Sequence, residues 1–216
     1  MCTVFSGVYS IMSALVGANE PRNVWTLVGN GQWGNNPYTT FSPRFTYNQS
    51  TVNGGIDDGS QLSFVMESLR TIGGVPLSVV PFSASDSPSV SYLTQANRQL
   101  ASGYRLTAYY NIGTSVQTMK QYLAASFPIY MAMMVDEVPS SLNATNYIYR
   151  GYDGSKKGGH AMVIVGYDDS VAGGSFIVLN SWGTSHALHG YFYLPYSFWA
   201  NGALGTEAIV PKYIKS

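Results

Sequence analysis

The chain predicts an α+β fold in two lobes, a helical lobe over residues 1–104 and a β-rich lobe over 105–216. Three observations carry that expectation. Apolar residues near the front recur at helical steps, the period changes to short β-branched runs after about residue 104, and helices therefore precede strands. No repeat or low-complexity linker divides the 216 residues, which suffice for one structural unit of two closely packed lobes.

From Cys2 to Val16, the positions Val4, Phe5, Val8, Tyr9, Ile11, Met12, Leu15 and Val16 fall at three- and four-residue steps, the period of a mostly buried helix. The pattern fades at Gly17-Ala18-Asn19-Glu20-Pro21. Residues 28–41 are dense in Gly and Asn and read as loop. Ser42-Pro43 reads as an N-cap with proline at the first helical position. Gly54-Gly55 is a turn, and Asp58 or Ser60 is placed to cap a helix with the face Leu62, Phe64, Val65, Leu69 and Ile72. Residues 76–88 read as extended and 91–100 as weakly helical.

Beyond residue 104 the alternation of 105–111 predicts a strand and 116–125 a helix. The runs 129–135, 161–166, 176–179 and 190–194, rich in Val, Ile, Met and Tyr, predict further strands.

Composition excludes several functions. Lys and Arg number 11, as do Asp and Glu, and charged residues are 10% of the chain against about 25% in an average domain. Without a basic patch, neither nucleic acid nor an anionic membrane is an expected partner. No apolar run reaches the roughly 18 residues that span a bilayer. The weakly charged surface, built from Ser, Thr, Asn, Gly and 17 Tyr, favours an extracytoplasmic or virion-associated setting. A single cysteine excludes an internal disulfide. Met1-Cys2 lacks the basic start of a signal peptide, so the numbering is expected to begin after processing, truncation or an internal point.

Three residues carry chemistry. Cys2 opens the first helix, where unpaired amides and the macrodipole favour a thiolate. A buried structural cysteine is the alternative. His160 follows Gly158-Gly159 and starts the run A-M-V-I-V; small neighbours let another chain approach. Asn180 ends F-I-V-L, twenty residues on, which suits two adjacent antiparallel strands joined across Asp168–Gly174. Its amide oxygen would accept the imidazole N–H and fix the tautomer, and Trp182 would cover that bond. Neither His186 nor His189 has a Cys or Glu at metal-ligand spacing, and no cofactor is expected.

In order along the chain, C-T-V-F-S, F-S-P-R-F, N-G-G, P-I-Y-M-A-M-M, G-H-A-M-V-I-V-G-Y-D and N-S-W-G-T resemble the segments of a papain-like cysteine peptidase. The resemblance implies the papain-like two-lobed fold, with a helical lobe, an antiparallel β-barrel-like lobe and a cleft between them. It implies Cys2 as nucleophile, His160 as general acid and base, Asn180 as orienter and Trp182 as shield. Gly54 and Gly55 match the turn that pairs with substrate backbone, with Gly59 as a competing alignment. Gly158 and Gly159 fall beside the histidine. Ala132, Gly158 and Ala161 match positions lining the pocket for the second residue before the scissile bond; all are small, so a roomy, uncharged pocket for bulky apolar side chains is expected. A polypeptide substrate is implied, as is a pro-segment or upstream region.

The chain departs from the family pattern at several places. Only Met1 precedes Cys2, whereas the family carries an oxyanion-hole glutamine about six residues upstream. Such a donor is typically worth on the order of 10²–10³ in rate, so the alternative reading is a catalytically impaired binding or structural protein. Thr3 stands where the family has tryptophan, and His186-Ala187 stand where it has Trp-Gly. The missing disulfides suit bacterial, archaeal or viral relatives. A transglutaminase-like or amidase reading is disfavoured by Asn180, since those enzymes usually carry Asp there.

Overall fold

The computed structural model describes residues 1–19, 25–28, 32–35, 38–47, 49–51, 59–82, 91–136, 141–150, 158–200 and 205–215. For 25–28, 32–35, 200, 205 and 206 it describes the backbone alone. The chain divides into two compact units. Met1, Thr3–Tyr109 and Lys212–Ser216 form one; Cys2 and Tyr110–Pro211 form the other.

The first unit is built on helix α1 (Cys2–Asn19). Val4, Val8, Ile11, Met12 and Val16 are all buried, so the helical period marks the core face. Between Phe5 and Met12 the turns widen to the π type, and the Ser13 N–H reaches back to the Val8 carbonyl. The Ser13 hydroxyl accepts the Phe41 N–H at 2.9 Å, tying the next segment to the helix. The expectation that no segment reaches bilayer-spanning length is corrected by this helix. Serine and glycine cost little in hydropathy, so α1 is long and apolar enough to cross a membrane; yet 56% of it is buried inside the protein, as a core helix would be.

The Gly- and Asn-rich stretch read as loop contains strand structure instead. A hairpin pairs β1 (Trp25–Val28) with β2 (Gln32–Asn35), in the register Trp25 to Asn35 and Val28 to Gln32. Helix α2 (Pro43–Tyr47) begins at the proline as expected, though the Ser42 hydroxyl is buried without a hydrogen-bond partner among the described residues. Helix α3 (Leu62–Thr71) buries Leu62, Val65, Met66 and Leu69. Gln61 stands at its N-cap, no side chain among the described residues caps it, and the Ser60 hydroxyl donates to the Ser50 carbonyl instead; Asp58 lies outside the described residues. Helix α4 (Gln95–Ala101) is capped by Thr94, whose hydroxyl accepts the Asn97 N–H at 3.1 Å. Gly73, at φ 98°, admits the close approach of α4: a Cβ there would lie 1.9 Å from the Ala101 carbonyl oxygen.

A six-stranded antiparallel sheet dominates the second unit. It comprises β3 (Ala108–Asn111), β4 (Ile129–Val135), β5 (Gly158–Asp168), β6 (Ser175–Leu179), β7 (Tyr191–Pro195) and β8 (Gly205–Lys212), in the order β3-β8-β4-β5-β6-β7. Four of these strands lie where Val, Ile, Met and Tyr runs predict them. Strand β8 and the short helix α6 (Tyr196–Ala200) are additions to the sequence reading. β8 escapes it because Glu207 and Pro211 flank only three apolar residues, and α6 is too short to show a period.

Helix α5 (Val116–Ala124) buries Met119 in a core shared with Ile129, Met131, Met133, Met162, Ile164, Phe176, Val178, Phe192 and Leu194. Trp199 of α6 completes that core and donates its indole N–H to the Thr114 carbonyl at 2.9 Å. Truncating Phe176 to alanine there is worth about 3–5 kcal/mol of stability. Strands β5 and β6 form a hairpin whose register runs from Asp168 opposite Ser175 to Val163 opposite Leu179. That register sets the ends of the two strands side by side.

Candidate active site

Strands β5 and β6 bring two polar side chains out of this apolar sheet at the same end. His160 lies near the start of β5 and Asn180 just past the end of β6; each is 6% exposed. Their side chains meet at 2.8 Å, His160 Nε2 to Asn180 Oδ1. The Ser181 N–H also donates to that oxygen, at 2.8 Å. A backbone N–H fixes the amide orientation, because only the oxygen can accept it. His160 Nε2 must therefore carry the proton, and in the neutral ring Nδ1 holds the free lone pair.

Cys2 supplies the partner. Its thiol is hydrogen-bonded to the His160 side chain, and the Ala161 N–H donates to the sulfur. Burial alone would raise the thiol pKa, but the His160 hydrogen bond, the Ala161 N–H and the imidazolium charge outweigh it. The net effect is a fall from the ordinary 9.0 to about 7. A thiol with that value is substantially thiolate near neutrality and faces a ring able to take and return its proton.

Trp182 stacks on the imidazole, with ring centroids 5.1 Å apart and 26° between the planes, and is itself 43% exposed. One face of the indole thus shelters the ring whose Nε2–H reaches Asn180. The Asn180 backbone is held as well, its N–H donating to the Gly190 carbonyl at 2.9 Å.

The small residues beside this line fall in register. Ala161 of β5 sits opposite Ala132 of β4, and Ala132 sits opposite Glu207 of β8. Directly opposed residues share one face of a sheet, so two methyl groups and one carboxyl form a row. Glu207 thus adds a carboxyl to the row of Ala132 and Ala161, which the sequence reads as uncharged. The sequence reading missed it because β8 carried no strand signal, and only the pairing reveals it.

Burial raises the Glu207 pKa, and no hydrogen bond or ion pair among the described residues holds the carboxyl. Tyr130, two residues before Ala132 and wholly buried, has its phenol pushed well above the ordinary value, chiefly by burial, then by the charges of Cys2 and Glu207. Both charges therefore lie within electrostatic reach of one ring.

Gly158 and Gly159 lie opposite Val135 and Met134, and a Cβ on either would meet no atom of the described residues within 4 Å. Gly54 and Gly55 lie outside the described residues. Gly59, the competing position, is described, at φ 73°. Among the described residues no group of three His, Cys, Asp or Glu side chains could hold a metal ion.

The sequence pattern of the papain family cysteine proteases matches residues 34–209, more than half of the chain. This chain belongs to the papain family of cysteine proteases. The matched span contains His160 and Asn180 and begins after Cys2. Solved papain-family structures share the α+β fold. Xylellain, a cysteine protease from Xylella fastidiosa, superposes at a TM-score of 0.81 with 20% identity, over 99% of this chain and 79% of its own. Digestive procathepsin L 3 of Tenebrio molitor larval midgut gives 0.67 and 15%, over 98% of this chain and 63% of its own. An uncharacterized peptidase C1-like protein of Acanthamoeba polyphaga mimivirus is 32% identical over 100 residues. That stretch is 44% of this chain and 31% of the viral protein.

Proposed function

We propose that this papain-family chain hydrolyses peptide bonds as an endopeptidase, with Cys2 as nucleophile, His160 as general acid and base, Asn180 as the orienting residue and Trp182 as the shield. One observation carries the reading: a continuous hydrogen-bonded line from the Cys2 thiol through the imidazole to the Asn180 amide, with the thiol at about 7.

The steps are set by the proton positions. The Cys2 proton passes to His160 Nδ1, and the thiolate sulfur adds to the peptide carbonyl carbon. As the tetrahedral intermediate collapses, Nδ1–H protonates the leaving amine, the C–N bond breaks and a thioester remains. A water molecule then gives its proton to the same nitrogen and adds to the thioester carbon, releasing the acid and the thiol. Throughout, Asn180 keeps Nε2 protonated and the ring aimed at sulfur, without adding a charge that would compete with the thiolate.

The Ala132–Ala161–Glu207 row supports a substrate preference. A half-buried carboxyl with no partner among the described residues, in a row with two methyl groups, suits a long side chain ending in a cation. At Gly158 and Gly159 no side chain of the described residues crowds the backbone, which suits a substrate main chain there. We assign these residues, with Gly54 and Gly55, to substrate binding.

The test is a fluorogenic peptide series alongside a thiol-directed epoxide. Labelling of Cys2 that requires His160, with faster cleavage of Arg-containing than Leu-containing peptides, is the expected result. Absence of cleavage and of labelling in the wild-type chain would refute the assignment.

A further inference from the structure

Among the described residues Trp182 has two ring neighbours. Besides the stacked His160, the His186 ring meets it edge to face, with centroids 5.0 Å apart and 80° between the planes. The backbone fastens His186 to the same place. Its carbonyl accepts the Gly190 N–H at 2.7 Å, and the Gly190 carbonyl accepts the Asn180 N–H at 2.9 Å. The intervening loop runs through left-handed backbone at Gly183, Ala187, His189 and Gly190, two of which are not glycine. Such conformations persist where surrounding contacts impose them, and Ala187 is buried.

We infer that His186 is a positioning residue, whose ring holds the Trp182 indole over the His160–Asn180 hydrogen bond. An indole left 43% exposed keeps rotamer freedom unless packing removes it. His160 stacks on the indole, but it is the ring to be sheltered and cannot also be the sole support of its shelter. His186 is the second support, and edge-to-face geometry is a favoured arrangement for such a pair. Losing it lets the indole swing, admits water to the Nε2–H···Oδ1 bond and loosens the aim of Nδ1 at sulfur. The inference rests on the reading of Cys2, His160 and Asn180 as the reacting line.

Two readouts test it on the full chain: peptide turnover, and the pH dependence of Cys2 alkylation by iodoacetamide, which needs no turnover. His186→Ala is expected to lower kcat roughly tenfold while KM stays near the wild-type value. It should also move the alkylation midpoint upward from about 7. His186→Phe keeps an aromatic edge without a titrating or hydrogen-bonding nitrogen, and is expected to restore both readouts. His186→Ala that matches wild type in both, or His186→Phe that rescues neither, overturns the inference. A wild-type chain that alkylates with a lowered midpoint but cleaves no peptide overturns the peptidase reading alone, and the alkylation arm still decides this one.

Discussion

Two rows of side chains meet at Ala161, and they are built on opposite principles. Along Cys2, His160 and Asn180 the facing atoms are all engaged: thiol to imidazole, Nε2–H to amide oxygen, and that oxygen again to the Ser181 N–H. Across Ala161, Ala132 and Glu207 the only polar group is a carboxyl that nothing among the described residues engages. That engagement fixes the orientation of thiol, ring and amide oxygen, although the buried Asn180 Nδ2 has no hydrogen-bond partner among the described residues. An unengaged, half-buried acid has capacity for a ligand, because burial without a partner is costly until one arrives. On our reading the first row does the chemistry and the second selects what is presented to it.

Changes to the first row should therefore lower the rate for every peptide alike, and changes to the second should re-rank peptides. The largest effect is expected from Cys2→Ser, which removes the thiolate. Turnover should fall by about 10⁴-fold or more on all substrates, as measured by cleavage of the peptide series. Retention of most activity would break the comparison at its root. Asn180→Ala comes next. It frees the imidazole to take the wrong tautomer, and a loss in kcat of roughly 10–100-fold is expected, equal for Arg and Leu peptides.

Glu207→Gln should leave cleavage of Leu peptides near wild type and reduce the Arg-over-Leu ratio by about tenfold. A uniform loss would instead place Glu207 with the first row. The smallest effect is that of salt. Because Glu207 is only partly buried, raising ionic strength should lower the Arg-over-Leu ratio of the wild type modestly and leave that of Glu207→Gln unchanged.

The same two rows differ in how far the amino-acid sequence reveals them. His160 and Asn180 stand at the ends of Val- and Ile-rich runs bounded by glycine and by N-S-W-G, so strand, turn and side-chain adjacency were all legible. Cys2 stood out as the one cysteine at a helix start. Glu207 gave no such signal, since its strand holds Thr206, Glu207 and Pro211 around a three-residue apolar core. Its relation to Ala132 exists only through pairing between segments more than seventy residues apart. The β1–β2 hairpin was hidden in the same way, by Gly and Asn that depress local strand propensity. The π-type turns of α1 carry no compositional mark, and neither does the meeting of His186 with Trp182, a loop contact set by left-handed backbone.

The central claim is that His160 holds the Cys2 thiol in its reactive state against the opposing effect of burial. The direct measurement is the rate of Cys2 alkylation by iodoacetamide across pH, in wild type and in His160→Ala. With the ring present the rate should rise through a midpoint near 7. Without it, the ring's hydrogen bond and charge no longer oppose burial, and the midpoint should climb towards the ordinary 9.0. Identical midpoints in the two proteins would contradict the account.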